Sequence, residues 1–481
     1  MVFENIKQKQ DYSKSKDYNF YYYDYIILGF GASGIASAIE LKKTNHSFII
    51  LEKESRFGGC WNYALETSCL QTHRDYYMYE GISYEDITSN SFPNKAEILK
   101  YFEKVIKLNN LEDKVIYWCK YKIEYNNTIF NANDEANNIN NNITNKYRWL
   151  LRVNNHNIHL YCNDILFCGG CNNIVNIPNH EIFEIDNLLQ DIVTKTTLEK
   201  SDKTIVVHSK YINKYIYNDF FKEKRKIVIV GNGASCCDIL KYIDKKYTHI
   251  DHELYVFYSS NKFFIPKYVC GISCHYFLSK PLIKIFEKMS LKLTIILITL
   301  ANIIFFKNYL DIPYSKVNSY NIVASNIIQK LIFKNKLTYN KKDIISINKD
   351  KRLLKTDNGI YNDIDIIILT TGYKTSYLNI ENINVEYDYL YKYVVPVKKN
   401  INKYTPIEGL GYIGFNRTYN FLINSQMRAR WYIQNRNNLK NLDNFDNVSI
   451  KEWIENIEIK KKKNNLKFMD STYEMFDLNN I

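Results

Sequence analysis

The stretch Tyr25 to Glu40, YIILGFGASGIASAIE, decides the fold. Four apolar residues, Tyr25 to Leu28, run into a glycine-rich turn and then into a helix of small residues. The turn is G-x-G-x-x-G, carried by Gly29, Gly31 and Gly34. The first glycine permits a sharp turn, the second lets a pyrophosphate approach the backbone, and the third lets the helix pack close to its strand. The helix start, Ala32 and Ser33, offers free N–H groups and a partial positive charge to phosphates. A second apolar strand, Phe48 to Leu51, ends at Glu52, at the spacing where a carboxylate takes ribose hydroxyls. The strand–turn–helix–strand context points to a dinucleotide site rather than to a glycine-rich turn in some other α/β unit.

A second such unit follows. Lys226 to Val230 enters Gly231-Asn232-Gly233-Ala234-Ser235-Cys236, with the small Cys236 in the third glycine's place. A helix over Cys237 to Tyr242 and a strand over Leu254 to Tyr258 complete it. Beyond that strand the chain reads Tyr258-Ser259-Ser260-Asn261-Lys262. It lacks the carboxylate that would bind the ribose of NAD, and the nearest cation is Lys262, which favours NADP.

The chain of 481 residues has room for two or more domains, and 46% hydrophobic and 24% charged residues suit a globular protein. The net charge of +13 is spread over scattered lysines rather than a basic stripe, and no nucleic-acid-binding motif accompanies it. The run Lys460 to Lys463 reads as a solvated face. The start is polar, with no signal-peptide core, so the 10 cysteines are expected as free thiols in a reducing, cytoplasmic setting. Residues 1–23 read as a polar tail and the Asn-rich stretch Asn126 to Asn145 as a mobile surface loop. The apolar run Leu293 to Phe306 is shorter than the about 20 residues a membrane span needs. A buried helix or lid is expected there, with reversible contact to a membrane surface as the other reading.

Several further segments bear on chemistry. Arg56-Phe57-Gly58-Gly59-Cys60-Trp61 would bring backbone and indole close to a flat ring system, or else form a tight turn with a core tryptophan. Residues 70–80, LQTHRDYYMYE, are polar and aromatic, and 95–108 form an amphipathic helix. Asn163 to Phe167 is a buried strand ending in Cys168-Gly169-Gly170-Cys171; Asp363 to Tyr373 is another, ending in Thr371-Gly372-Tyr373. Tyr412 to Phe415 is a short strand, and Gln426, Arg430 and Trp431 lie on a helix. Cys270, Cys274 and His275 offer three metal ligands without a fourth, so no metal site is assigned.

This ordered set resembles the flavin-containing monooxygenase family, near its Baeyer–Villiger and N-hydroxylating relatives, from about Asp24 to Trp431. The resemblance implies an α/β fold of two Rossmann-like dinucleotide-binding domains, with the NADPH domain (223–362) inserted in a discontinuous FAD domain (24–222 and 363–440), before a basic tail (441–481). Gly29, Gly31, Ala32, Ser33, Gly34 and Glu52 would hold FAD, and Gly59, Cys60 and Trp61 would lie by the flavin. Gly231, Gly233, Ala234, Ser235 and Lys262 would serve NADPH. Thr72 and His73 would stand at the flavin–nicotinamide junction, with His73 as the catalytic candidate. Thr371, Gly372 and Gln426 would return to the FAD domain and close it. The implied reaction uses NADPH and O2, through a C4a-hydroperoxyflavin, to oxygenate an amine nitrogen or sulfide sulfur of a small-molecule substrate. Self-association is left open.

The chain departs from the family in three places. Its F-x-G-x-x-x-H-S fingerprint survives only as His208-Ser209, with Asp202 and Thr204 at the Phe and Gly positions. Its usual arginine after the NADPH strand aligns with Ser259, and an asparagine near the flavin aligns with His73. Two alternatives follow: a flavin disulfide reductase using Cys168 and Cys171, and an FAD-binding protein without turnover.

Overall fold

The computed structural model describes residues 19–125, 147–179, 181–183, 203–213, 216, 220–260, 262–269, 272–273, 322–375, 378–381, 389–399, 404–415, 420–440 and 452–453. The Asn-rich stretch, the Leu293–Phe306 run, Lys460–Lys463 and Cys270, Cys274 and His275 lie outside these residues.

The first sheet is ordered β3-β2-β1-β6-β5-β4. It comprises β1 (Asn19–Leu28), β2 (Phe48–Leu51), β3 (Val115–Ile116), β4 (Tyr121–Tyr125), β5 (Trp149–Val153) and β6 (Ile158–Phe167). Strands β3, β2, β1 and β6 are parallel, whereas β6, β5 and β4 form an antiparallel meander. Helix α1 (Ala32–Lys42) leaves the glycine turn and packs on the sheet with nine of its eleven residues buried. Helix α2 (Lys95–Leu108) matches its expected range. Asn94 caps it by accepting from the Glu97 N–H, and Glu97 returns the bond to the Asn94 N–H.

Strand β1 overturns the expectation of a tail ending at residue 23. Asn19 to Tyr23 pair with Ile158 to Cys162 of β6, so the strand starts well ahead of the apolar run at Tyr25. The exposed face of this extension carries aromatic pairs, Tyr22 stacked on Tyr161 and Phe20 edge-on to His159. Its other face buries Tyr23, with Tyr21 partly packed beside it, so cross-strand aromatic contact and partial burial together hold it to the sheet.

The second sheet is wholly parallel. Beyond β7 (Ile174–Val175) the chain supplies β8 (Ile205–His208), β9 (Lys226–Val230), helix α3 (Ala234–Lys246), β10 (Glu253–Tyr258), β11 (Leu337–Lys341) and β12 (Ile366–Leu369). The order is β11-β10-β9-β12-β8. This moves two expected boundaries. Strands β8 and β12, assigned from sequence to the two FAD segments, join the sheet of the second glycine turn instead. Ile366, Ile367, Ile368 and Leu369 are fully buried between β9 and β8, a setting that a continuous apolar run suits. What closes the first sheet is β13 (Leu410–Tyr412), which lies parallel to the end of β6.

Helix α4 (Phe421–Lys440) then packs along α1. Glu40, 3% exposed, accepts hydrogen bonds from Gln426 Nε2 at 2.7 Å and from Arg430 Nε at 2.8 Å. Lys43 adds a third at 2.7 Å. Burial alone would raise the Glu40 pKa, but the bonds from Arg430, Lys43 and Gln426 outweigh it and hold the carboxyl below its usual range. Stability from this group is therefore present above the unfolded carboxyl pKa and lost as pH falls through the lower folded value. Arg430→Met should cost roughly 1.5–3 kcal/mol at neutral pH, the worth of a charged hydrogen bond. It should also flatten the loss of stability on acidification, because without Arg430 the folded Glu40 pKa moves back toward its unfolded value. Urea titrations across acidic pH check both effects.

Candidate cofactor sites

Both glycine turns are built on one device. Gly29 has φ of +103°, and a Cβ there would stand 2.8 Å from the carbonyl oxygen of Cys168, just past β6. Gly231 has φ of +101°, and its Cβ would stand 2.8 Å from the carbonyl oxygen of Thr370, just past β12. Each turn therefore rests on the backbone at the end of the neighbouring parallel strand, where only glycine fits both the space and the left-handed backbone. Gly31 and Gly233 then cap α1 and α3 without any side-chain capping bond. The helix N-termini keep N–H groups for an anionic ligand.

The turns differ at their third position. A Cβ at Gly34 would lie 1.9 Å from the Gly29 carbonyl oxygen, so α1 sits directly against its turn. The equivalent Cys236 is fully buried, so α3 accommodates a thiol at this point. A Cβ at Gly233 would meet nothing within 4 Å. Gly31, in contrast, faces Gly59, whose Cα would be 3.3 Å from an added Cβ.

Around the first turn, Glu52 is 4% exposed. Its two carboxylate oxygens accept from the backbone N–H of Phe30 at 2.6 Å and of Glu54 at 3.0 Å. Burial raises its pKa against the pull of those two donors. Tyr79 donates to the Ala32 carbonyl at 2.7 Å, and the buried Ser33 packs against Gly414. The turn from Gly58 places Cys60 at the surface and directs the Trp61 indole N–H to the Tyr77 hydroxyl at 2.9 Å.

His73 is buried, edge-on to Phe92, and its Nδ1 accepts from the Asp75 N–H. The neighbouring Gln71 reaches the second domain, its carboxamide oxygen accepting from the Ala324 N–H at 3.0 Å. The structure thus places Thr72 and His73 beside the seam between the two domains. Gln426 lies apart from both turns' backbones, committed to Glu40 and to the Glu80 N–H. Thr371 and Gly372 follow β12 and are stitched to Asn176: the Asn176 side chain donates to the Thr371 carbonyl at 3.1 Å and its N–H to the Gly372 carbonyl at 2.9 Å.

At the second turn, sequence reading missed Asn232. Its buried carboxamide donates to the Ser260 carbonyl at 3.1 Å and the Tyr339 hydroxyl at 2.8 Å, folding the end of β10 over the turn. Tyr339 stacks on Tyr258. Ala234 and Ser235 open α3, and Lys262, half-buried with its pKa lowered by desolvation, lies two residues past Ser260. Ser259 is exposed. The signal for Asn232 was its place inside the turn itself.

Two segments model-matched to known families frame these sites. Residues 27–74 match an NAD(P)-binding Rossmann-like domain. Residues 197–481, more than half of the chain, match the flavin-binding monooxygenase-like family. The chain belongs to that family. Among curated proteins it is 35% identical over 85 residues to an uncharacterized oxidoreductase, CzcO, of Bacillus subtilis, covering 18% of this chain and 24% of CzcO. It is 25% identical over 231 residues to a probable FAD-binding monooxygenase, AlmA, of Acinetobacter sp, covering 45% and 38%. The matched stretches thus span well under half of either relative.

Among solved structures, a flavin-containing monooxygenase from Stenotrophomonas maltophilia superposes with a TM-score of 0.54 at 12% identity, covering 86% of this chain and 98% of that one. OTEMO in complex with FAD and NADP gives 0.61 at 13%, covering 93% and 90%. These likenesses establish a flavin-binding monooxygenase-like fold. The uncapped helix ends, the glycine cradle at Gly31 and Gly59 and the open space at Gly233 fit one dinucleotide at each turn.

In this flavin-binding monooxygenase-like chain, His208 of the eroded fingerprint is fully buried where the domains meet. Its Nδ1 accepts from the Lys210 N–H at 3.1 Å, so Nε2 carries the proton and donates to the Gly372 carbonyl at 3.1 Å. Desolvation pushes its pKa down to about 4, despite the opposing bond to Gly372. Below the unfolded histidine pKa of about 6.5 the unfolded chain binds the extra proton, so stability is lost as pH falls toward 4. His208→Gln should flatten that part of the pH–stability curve, measured by chemical denaturation. The two turns make a second contrast: Gly34→Ala should cost more than about 3 kcal/mol through overpacking, whereas Gly233→Ala should leave thermal stability nearly unchanged.

Proposed function

We propose that the chain is an NADPH-dependent flavoprotein monooxygenase, binding FAD at the Gly29–Gly34 turn and NADPH at the Gly231–Cys236 turn. The observation that carries this reading is the pair of uncapped, glycine-seated helix N-termini, each following a strand with parallel neighbours, in a chain of the flavin-binding monooxygenase-like family. Bound FAD would accept a hydride and activate O2; that chemistry belongs to the cofactor. The protein's part is to bind, orient and exclude water. Gly31 and Gly59 give the pyrophosphate room, Glu52 presents its carboxylate to the ribose, and Cys60, Trp61 and His73 lie on the segments that approach the ring. Thr371 and Gly372, fixed by Asn176 and His208, lie next to the second turn. The substrate class is a soft nucleophile, an amine nitrogen or a sulfide sulfur.

The disulfide-reductase alternative is less well supported. Cys168 is buried with its sulfur 3.4 Å from the Ser37 hydroxyl on α1, whereas Cys171 is half-exposed, and both are free thiols. The two sulfurs occupy different environments.

The test is flavin retention and reduction. Gly31→Val should lose FAD, while Gly233→Val should stay yellow but no longer bleach with NADPH under anaerobic conditions. Loss of flavin from both would overturn the assignment of the turns. Wild-type protein should then consume O2 with NADPH and deliver one oxygen atom to a sulfide or tertiary amine, followed by mass spectrometry with labelled O2. Because Ser259 offers no guanidinium to a 2′-phosphate, Ser259→Arg should tighten NADPH by roughly 10- to 150-fold. NADH binding should barely change.

A further inference from the structure

The segment Ser68 to Gln71 forms the seam between the two domains, and one cysteine stands within it. Ser68 Oγ donates to Asp238 Oδ2 on α3 at 2.8 Å. Lys267 donates to the Leu70 carbonyl. Between these contacts, Cys69 Sγ receives Lys241 Nζ from α3 at 3.1 Å and Lys267 Nζ at 2.9 Å. Cys69 is held in place by a backbone bridge to Asn94, the cap of α2. It is half-buried rather than sealed.

We propose that Cys69 is a peroxide-reactive thiol, activated by Lys241 and Lys267 at the domain seam. Ammonium groups beside a sulfur favour its thiolate, the nucleophilic form. Here two of them converge from separate segments. The charged and titratable neighbours are Lys241, Lys267 and Asp238, with Cys237 interacting with Lys267 and Asp238 as well. Two ammonium groups and one carboxylate leave one surplus positive charge beside the sulfur. Among the described residues the other cysteines lack this setting, the half-exposed Cys171 bonding instead to the Asn172 carboxamide. Cys119, Cys162, Cys168, Cys236 and Cys237 are buried. Cys60 is more exposed than Cys69 but, among the described residues, receives no lysine hydrogen bond.

With hydrogen peroxide as the oxidant, the thiolate sulfur attacks one oxygen. An S–O bond forms and the O–O bond breaks. Sulfur gives up two electrons, and the leaving hydroxide takes a proton from an adjacent ammonium or from solvent to become water. The product is a sulfenic acid on Cys69.

The experiment treats the full-length protein with limiting hydrogen peroxide, traps sulfenic acid with a 1,3-dione, and maps the labelled peptides over time. Cys69 should be labelled before the more exposed Cys60. Lys267→Met should slow labelling of Cys69 by roughly tenfold, as the loss of one charged hydrogen bond to the sulfur would, and Lys267→Arg should restore it. Lys241→Met on α3 gives the same readout should the Lys267 variant fold poorly. Labelling of Cys60 first, or an unchanged Cys69 rate in both methionine variants, would overturn the proposal.

Discussion

Two glycines with positive φ, each pressed against the first carbonyl past a neighbouring strand, set the geometry of the whole molecule. Gly29 on Cys168 and Gly231 on Thr370 leave no room for a side chain. Each such contact fixes three things together: the exit angle of the helix, the parallel neighbour that must flank the strand, and the direction in which free N–H groups point. The two sheets are variations on that one constraint, and both cofactor assignments depend on it.

The rest of the architecture answers a problem of chain continuity. The chain leaves the first domain after β6 and β7, builds a parallel sheet elsewhere, and must come back. It returns by laying β13 beside β6 and α4 along α1, and the buried Glu40 carboxylate ties the returning helix to the first one through Gln426 and Arg430. A buried carboxylate with several charged partners is costly to leave half-satisfied, so the returning helix has one register in which all of them are paired. The crossing from β12 back to the first domain is fixed separately, by Asn176 and His208 on the Thr371–Gly372 backbone.

Much of this could be read from the sequence where local chemistry decides. The two turns, Phe48–Leu51 and 95–108 follow from glycine spacing, apolar runs and helical periodicity, and the structure places them as expected. Pairing partners could not be read this way. The apolar run ending in Leu369 is as good a strand in either sheet; only the space between β9 and β8 assigns it. Asn19 to Tyr23 bury only Tyr23, with Tyr21 packed partly against the same core, so their pairing with β6 carried no aliphatic run to announce it. At the sites, Glu52 and the glycines announce themselves by spacing. Asn232, Tyr339 and the seam lysines act over long sequence separations, through hydrogen bonds that no local pattern encodes.

The aromatic extension of β1 also bears on how the protein can be produced. A shortened chain beginning at Asp24 would keep every residue of the glycine turn, and the sequence alone invites that choice. It would also strip the partner from Ile158 to Cys162, leaving a row of N–H and C=O groups and several tyrosines along an open strand edge. Such edges recruit other chains. The cut form would fold its cofactor turn correctly and still precipitate, for want of five residues that touch neither site.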